Sequence, residues 1–301
     1  MCDLAQLFHV FIFFMYSVFR SQSEGNRYNI ATMTEEQNNH EERFGSLARV
    51  YGAETLQKIH DAHVCVVGIG GVGSWVAEAL ARSGVGKLTL IDGDDISRGN
   101  MNRQCHTLES TIGQMKTEVM KQRVADINPE CQCLTIERYL DDDNIFELLM
   151  PDEDKKYDCV IDAIDRIKYK ALMIYFCKRN KLPVVTTGGA GGLLDPTQIE
   201  VKDLTRTWND PLAASVRLSL RQQYNFTRNP KRSFGVPCVY SQEQQRYPDK
   251  HGCVGFQKPG VAGLSLDCSF GYGSSVMVTA SFGFAAAAKA VEIVVKKSDT
   301  K

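Results

Sequence analysis

The sequence predicts an α/β protein with a doubly wound, mostly parallel sheet, and three observations carry that expectation. An apolar run, "HVCVVGI", leads into a glycine-rich turn and then a helical pattern. Strand-like and helix-like segments alternate from residue 63 to about 190. With 301 residues, 43% hydrophobic and 24% charged, the chain can bury a substantial core.

The elements follow in order. Residues 43–62 read as helix, broken near Gly52. "HVCVVGI" is a strand, and "GSWVAEALARSGV" is a helix that stops at Gly84 or Gly86. "KLTLID" is a strand, "GQMKTEVMKQRVADINP" a helix, "CQCLTIERYL" a strand and "DNIFELLM" a short helix. "YDCVIDAID" is a buried strand ending in carboxylates. The helix "IKYKALMIYFCKRNK" precedes the strand "PVVTTGGAGG", which opens a second glycine-rich loop. Beyond Asp195 the rhythm changes: "DPTQIEVKDL" is strand-like and "DPLAASVRLSLRQQYNF" a helix with Asp210 near its start. Residues 227–263 are rich in Gly, Pro and polar groups and read as a long surface loop. A long apolar helix closes the chain.

Composition excludes some classes. The formal net charge is −1, so any nucleic-acid contact needs a local patch. None of the ten cysteines forms a CxxC pair; the nearest spacing is Cys131 and Cys133, which argues against a zinc ribbon. Cys65 and Cys159 lie in apolar strand-like runs and read as buried thiols, consistent with a reducing compartment. The apolar stretch Leu4–Phe19 is shorter than the roughly 20 residues of a spanning helix and lacks a basic start. Residues 1–32 therefore read as a disordered or weakly helical tail or an upstream extension, with a membrane or targeting segment as the competing reading, Met33 a credible first residue and no stable membrane partner expected.

Gly68, Gly70, Gly71 and Gly73 form GxGxxG between strand and helix, where backbone N–H groups and a helix start receive phosphate. The next strand ends at Asp92, about 20 residues on, where a ribose hydroxyl finds its carboxylate. Alone, this Rossmann-like pattern fits a nicotinamide cofactor. "DGDDISRGNMNRQ" shifts the balance, because it places Asp94, Asn100, Arg103 and Gln104 just after the acidic strand end. Hydride transfer needs no such cluster, whereas cleaving ATP between its α and β phosphates does. Lys116 falls in the first turn of the next helix, where the macrodipole disfavours a cation unless an anion sits beside it. A solvated surface lysine is the competing reading. Asp162 and Asp165 end the following strand, where one carboxylate could hold Mg2+ or Asp165 could cap the next helix.

In this order and spacing, the GxGGxGS turn, DxD…NxNRQ, GxxK and DAID motifs resemble the adenylating domain of the ubiquitin-activating-enzyme (ThiF/MoeB/HesA) superfamily. The resemblance covers about residues 43–290. Four segments, "ALARSGVGKLTLID", "VIDAID", "VVTTGGAGGLLDPTQIEVKDLTRTWNDPLA" and "MVTASFGFAAAAKAV", are similar to its tRNA threonylcarbamoyladenosine dehydratase subgroup. The last three segments carry the subgroup assignment. The resemblance implies an adenylation fold divided into a tail (1–32), a helical arm (33–62), an ATP-binding core (63–200) and a substrate, tRNA and dimer-contact region (201–295). It implies that the four glycines line the phosphates and Asp92 binds the ribose, with Asp94 and Gln104 in the same site. Asn100, Arg103 and Lys116 would hold the triphosphate and developing charge, and Asp165 would take Mg2+. An N-terminal arginine would reach the neighbouring subunit's ATP site; Arg43 and Arg49 are the candidates, with Arg49 preferred.

The implied reaction is cyclisation of N6-threonylcarbamoyladenosine at position 37 of tRNA. AMP is transferred to the threonyl carboxylate, and the neighbouring carbamoyl group then closes the ring. A cytoplasmic homodimer acting on tRNA follows from the resemblance, which also admits cysteine desulfurase or sulfur-acceptor partners. Between residues 215 and 235, Arg217, Arg221, Arg228, Lys231 and Arg232 occur without an acid, interleaved with Tyr224, Phe226 and Phe234. Such a stretch suits a single-stranded anticodon loop, and a solvated helix face is the alternative. Cys238 reads as structural rather than nucleophilic. Three other functions compete: activation of a ubiquitin-like sulfur carrier, disfavoured by the missing CxxC pairs; NAD-dependent oxidoreduction, disfavoured by Arg103 and Lys116; and a non-catalytic nucleotide-binding scaffold.

Overall fold

A computed structural model describes residues 35–150, 156–249, 251–257 and 273–298. The expectation for residues 1–32 lies outside the described residues. The chain divides into two compact units between Ser46 and Leu47. The boundary falls within helix α1 (Glu35–Tyr51), and Gly52 separates α1 from α2 (Ala53–His60).

The second unit is a seven-stranded sheet with helices on both faces. Its elements are β1 (His63–Val67), α3 (Gly73–Arg82), β2 (Lys87–Ile91), α4 (Lys116–Ile127), β3 (Gln132–Ile136), α5 (Ile145–Leu149), β4 (Cys159–Asp162), α6 (Ile167–Arg179) and β5 (Val184–Thr187). There follow β6 (Ile199–Asp203), α7 (Pro211–Gln223), β7 (Pro237–Ser241) and α8 (Val276–Ser298). A separate small ribbon pairs β8 (Tyr247–Pro248) with β9 (Val254–Gly255). The sheet order is β3-β2-β1-β4-β5-β7-β6, parallel except for the antiparallel edge strand β6. Strand order reverses between β1 and β4, which makes the crevice above their C-terminal ends a ligand site in this architecture.

Strand period 2 sorts the core onto the two faces. Val64 and Val66 of β1, Ile161 of β4 and Val239 of β7 pack with α3, α4 and α8. Cys65 and Val67, Val160, Cys238 and Tyr240 face α5, α6 and α7. Because both faces are covered, the strands read as continuous apolar runs rather than alternating ones. The closing helix is long and apolar enough to cross a membrane, with a mean hydropathy of 1.6. Here it lies along the sheet, burying Val278, Phe282, Ala286, Ala290 and Val294 at intervals of one helical turn.

The surface-loop expectation for residues 227–263 needs correction. "PCVYS" within it is β7, an interior strand between β5 and β6. Its neighbours' Gly, Pro and polar content masked a five-residue strand, and Pro237 is tolerated because it stands at the strand's first position. Residue 250 and residues 258–263 lie outside the described residues. Cys65, Cys159 and Cys238 are buried thiols, and burial raises each thiol well above its ordinary pKa. Cys238 is thus a poor nucleophile in this fold.

Candidate active site

The glycine turn leaves β1 at Gly68, whose φ of 88° lies in the left-handed region that L side chains avoid. Its N–H donates to the Ile91 carbonyl at 2.8 Å, joining the turn to β2. At Gly73 a Cβ would fall 1.7 Å from the Gly68 carbonyl oxygen. Gly73→Ala should therefore force the turn open, and calorimetric titration should show ATP binding weakened at least about tenfold.

Two side chains fix this turn from below. Asp92 accepts from the Ile69 N–H at 2.6 Å through one carboxylate oxygen and from the Asp94 N–H at 2.9 Å through the other. Burial pushes its carboxyl pKa up, against the pull of Lys116 and those two N–H groups. His106, which the sequence reading passed over, places Nε2 2.9 Å from the Ile69 carbonyl. The carbonyl can only accept, so Nε2 carries the proton.

Burial lowers the His106 pKa to about 4. The unfolded chain therefore takes up more protons than the folded one between about pH 6.5 and pH 4. This contribution is complete above pH 6.5 and is lost as pH falls towards 4, at about 1 kcal/mol per pH unit. Urea midpoints near pH 7 and pH 5 will record that loss, and His106→Gln will shrink the difference.

Lys116 is the first residue of α4 and is buried. Its Nζ lies 2.7 Å from Asp94 Oδ2, so the anion expected beside it is Asp94's carboxylate, and the solvated-lysine alternative is excluded. Tyr139 donates its hydroxyl to the other Asp94 oxygen. Burial alone would raise the Asp94 carboxyl, but the bonds from Lys116 and Tyr139 hold it below the ordinary range. The same bond from Tyr139 to Asp94 raises the phenol to about 12. Arg166 sits 5.6 Å from the Tyr139 ring centre and adds positive charge near Asp94.

The 98–104 segment forms a 3-10 turn, Arg98–Asn100, followed by Arg103 and Gln104. Asn100 closes a capping box with Ser97. The Arg103 side chain lies over Gly71, where a Cβ would meet its Cγ and Cδ at 3.3 Å. Its main-chain carbonyl accepts from Trp75 Nε1 at 3.0 Å and from the Thr279 hydroxyl at 3.5 Å, so α3 and α8 both position it. Among the described residues, its guanidinium is held by the Gly99 carbonyl at 2.8 Å and Asn102 Oδ1 at 3.0 Å. Gln104 is buried beside Gly70, with its Oε1 buried and unpaired. A buried orphan acceptor at a glycine turn is a position for a ligand donor.

Asp165 is exposed beyond the C-terminal end of β4. It does not cap α6: the N-cap is Arg166, and no side chain bonds there. Asp162 is fully buried instead, with Lys170 Nζ 2.9 Å from its Oδ1 and Thr186 donating to its Oδ2 at 2.6 Å. Lys170 also donates to the Ile164 carbonyl at 2.9 Å and so ties down the turn that carries Asp165. Nothing in local spacing announced that pair. Arg49 is exposed near the end of α1, and Arg43 is exposed in the other unit.

The basic stretch needs a second correction. Tyr224 stacks on Tyr175 with ring centres 4.6 Å apart, and Phe226 meets the buried Phe234 edge-on at 4.9 Å. Phe234 is buried and unavailable for stacking, whereas Tyr224 and Phe226 are half-buried and each packs on a ring of the fold. Arg221 lies over Phe234, and Arg217 donates to the Leu204 carbonyl and to Thr207. Both are partly buried, so they do not form a solvated face; Arg228, Lys231 and Arg232 remain exposed.

Residues 44–301 match the ThiF family. The tRNA threonylcarbamoyladenosine dehydratase of Haemophilus influenzae is 48% identical over 260 residues, spanning 86% of this chain and 95% of that protein. The Escherichia coli protein of the same name is 48% identical over 258 residues, spanning 85% and 95%. A crystal structure of E. coli tRNA N6-threonylcarbamoyladenosine dehydratase, TcdA, in complex with ATP superposes with a TM-score of 0.77. It is 43% identical and covers 90% of this chain and 100% of that one. By its glycine turn, its sheet and these matches, the chain belongs to the ThiF family.

Proposed function

We propose that the chain catalyses ATP-dependent cyclisation of N6-threonylcarbamoyladenosine in tRNA, as the name of its 48%-identical relatives describes for them. The observation that carries the reading is that Arg103 and Gln104 lie at the glycine turn while Asp92 ties that turn to the Asp94–Lys116 pair. A hydride-transfer site leaves that cluster without a task.

In this reading the turn Gly68–Gly73 receives the phosphates on its backbone N–H groups. Asp92 and Asp94 face the ribose side, and Asn100 contacts a phosphate oxygen. Lys116 turns from Asp94 towards the α-phosphate, and Arg103 donates to the charge that builds there. The threonyl carboxylate attacks the α-phosphorus, and pyrophosphate leaves. The carbamoyl group then attacks the mixed anhydride, losing its proton as AMP departs. One water is lost overall, and its atoms are divided between AMP and pyrophosphate. Holding both groups on one nucleoside makes the second step intramolecular. Mg2+ suits Asp165, an exposed carboxylate at the strand end, and there would neutralise phosphate charge.

Arg228, Lys231 and Arg232 are placed against the tRNA backbone, with Arg217 and Arg221 behind them. Arg49 is assigned to a second subunit's site in a homodimer, and the protein to the cytoplasm, where its substrate resides. The carrier-activating alternative shares the ATP-site motifs, but it lacks the CxxC pairs and leaves the subgroup segments without a counterpart. The test supplies MgATP and tRNA bearing the open threonylcarbamoyladenosine, then digests the RNA for mass spectrometry. A nucleoside lighter by one water, with AMP and pyrophosphate released, supports the reading. AMP release that requires a small carrier protein instead of tRNA overturns it.

A further inference from the structure

A cavity of about 390 Å3 opens beside the C-terminal end of β7, lined by Asp210, Ala214 and Arg217 from α7 and its N-cap, and by Gln244, Tyr247 and Phe256 among others. Its volume falls within the range of roughly 300–1,000 Å3 typical of small-molecule sites. Neither the glycine turn nor the Asp94–Lys116 pair contributes to it. It nonetheless shares the sheet edge of the ATP site, since β7 runs parallel to β5 and β4.

The cavity is a built feature. Buried Asp210 accepts from the Gly189 N–H at 3.0 Å and the Ala213 N–H at 2.8 Å, locking the second glycine loop to the first turn of α7. Gln245 Nε2 donates to the Gly191 carbonyl at 3.0 Å, and the Tyr247 hydroxyl donates to Gln245 Oε1 at 3.2 Å. Those bonds fix one wall of a lining that mixes apolar and polar side chains.

Its chemistry is that of a nucleotide seat. Arg217 is partly buried and donates only to neutral oxygens; among the described residues no carboxylate forms an ion pair with it. Buried Asp210 acts on it through space without pairing with it, so the guanidinium's fork is still open to a phosphate. Tyr247 and Phe256 supply ring surfaces, with Arg246 5.6 Å from the Phe256 ring centre. The Gln244 amide can pair with a base edge, and Asn209, whose Nδ2 donates to the Gln242 carbonyl at 2.9 Å, offers its Oδ1. Position suits the substrate as well. Strand order reverses between β1 and β4, and β7 lies two strand spacings, about 10 Å, beyond β4. A purine carrying a carboxylate arm on N6 spans that gap.

We infer that this cavity seats the modified adenosine itself, unstacked from its single-stranded loop, with its base against Tyr247 and Phe256 and its phosphate on Arg217. The inference rests on the tRNA reading above and locates the substrate for it. Specificity for the nucleoside thus resides on the β7 side of the sheet edge, and ATP chemistry on the β1 side.

Ala214→Trp tests it, because Ala214 is exposed on α7 and a large ring there fills the cavity without entering the core. The variant should keep its melting temperature and its ATP affinity, while KM for modified tRNA rises at least tenfold. Wild type should bind a stem-loop carrying the modified adenosine more tightly than one abasic at that position, and Ala214→Trp should bind the two equally. Wild-type KM in the variant, or equal binding of both stem-loops by wild type, overturns the inference and leaves the tRNA reading standing. If wild type itself cyclises no tRNA, the tRNA reading fails and the inference falls with it.

Discussion

Replacing Arg103 with Ala should lower the ATP-dependent cyclisation rate by roughly 10²–10³-fold, the usual cost of removing one preorganised donor to developing charge. The structure concentrates the effect on chemistry rather than folding. Trp75 and Thr279 hold the main-chain carbonyl of Arg103, which the substitution keeps. Among the described residues the lost guanidinium makes two bonds of its own, to Gly99 and to the adjacent Asn102. Stability should therefore move by less than about 1 kcal/mol. Quenched-flow measurement of AMP and the cyclic nucleoside, beside a urea denaturation curve, separates the two quantities. A rate within threefold of wild type would remove Arg103 from the reacting centre and leave Lys116 as the main cation there.

Replacing Lys170 with Met should destabilise the protein by about 3–5 kcal/mol, the range for stranding one member of a buried ion pair. Side-chain exposure is 1% for Lys170 and 0% for Asp162, so water cannot solvate the abandoned carboxylate. The Ile164 carbonyl also loses its donor, just before Asp165. Adding Asp162→Asn to Lys170→Met removes the stranded charge while keeping an acceptor for the Thr186 hydroxyl. The double variant should recover at least half of the loss, as neutral replacements of buried pairs often do. Denaturant midpoints of the wild type, both single variants and the double variant complete the cycle. A Lys170→Met cost below about 1 kcal/mol would mean that Asp162 takes up a proton and rests neutral without its partner.

The sequence by itself determined the parallel sheet, the glycine turn and the identities of Asp92, Asn100, Arg103 and Lys116 as candidates. These features are local: an apolar run before GxGxxG, a carboxylate at a strand end and a lysine in a first helical turn are legible in a short window. The sequence did not reveal β7, because an interior strand is specified by the neighbours that cover it, and "PCVYS" lies in polar, glycine-rich company. Nor could it foresee that Phe234 is buried against Phe226 and that Tyr224 stacks on Tyr175, since interleaving charges with aromatics fixes no direction. His106 on Ile69, Tyr139 on Asp94 and Lys170 on Asp162 join residues separated by 37, 45 and 8 positions. The two longer links exist only after the chain has crossed the sheet. The link from Lys170 to Asp162 is short in sequence, but its strength depends on complete burial, a property of packed layers rather than of residue spacing.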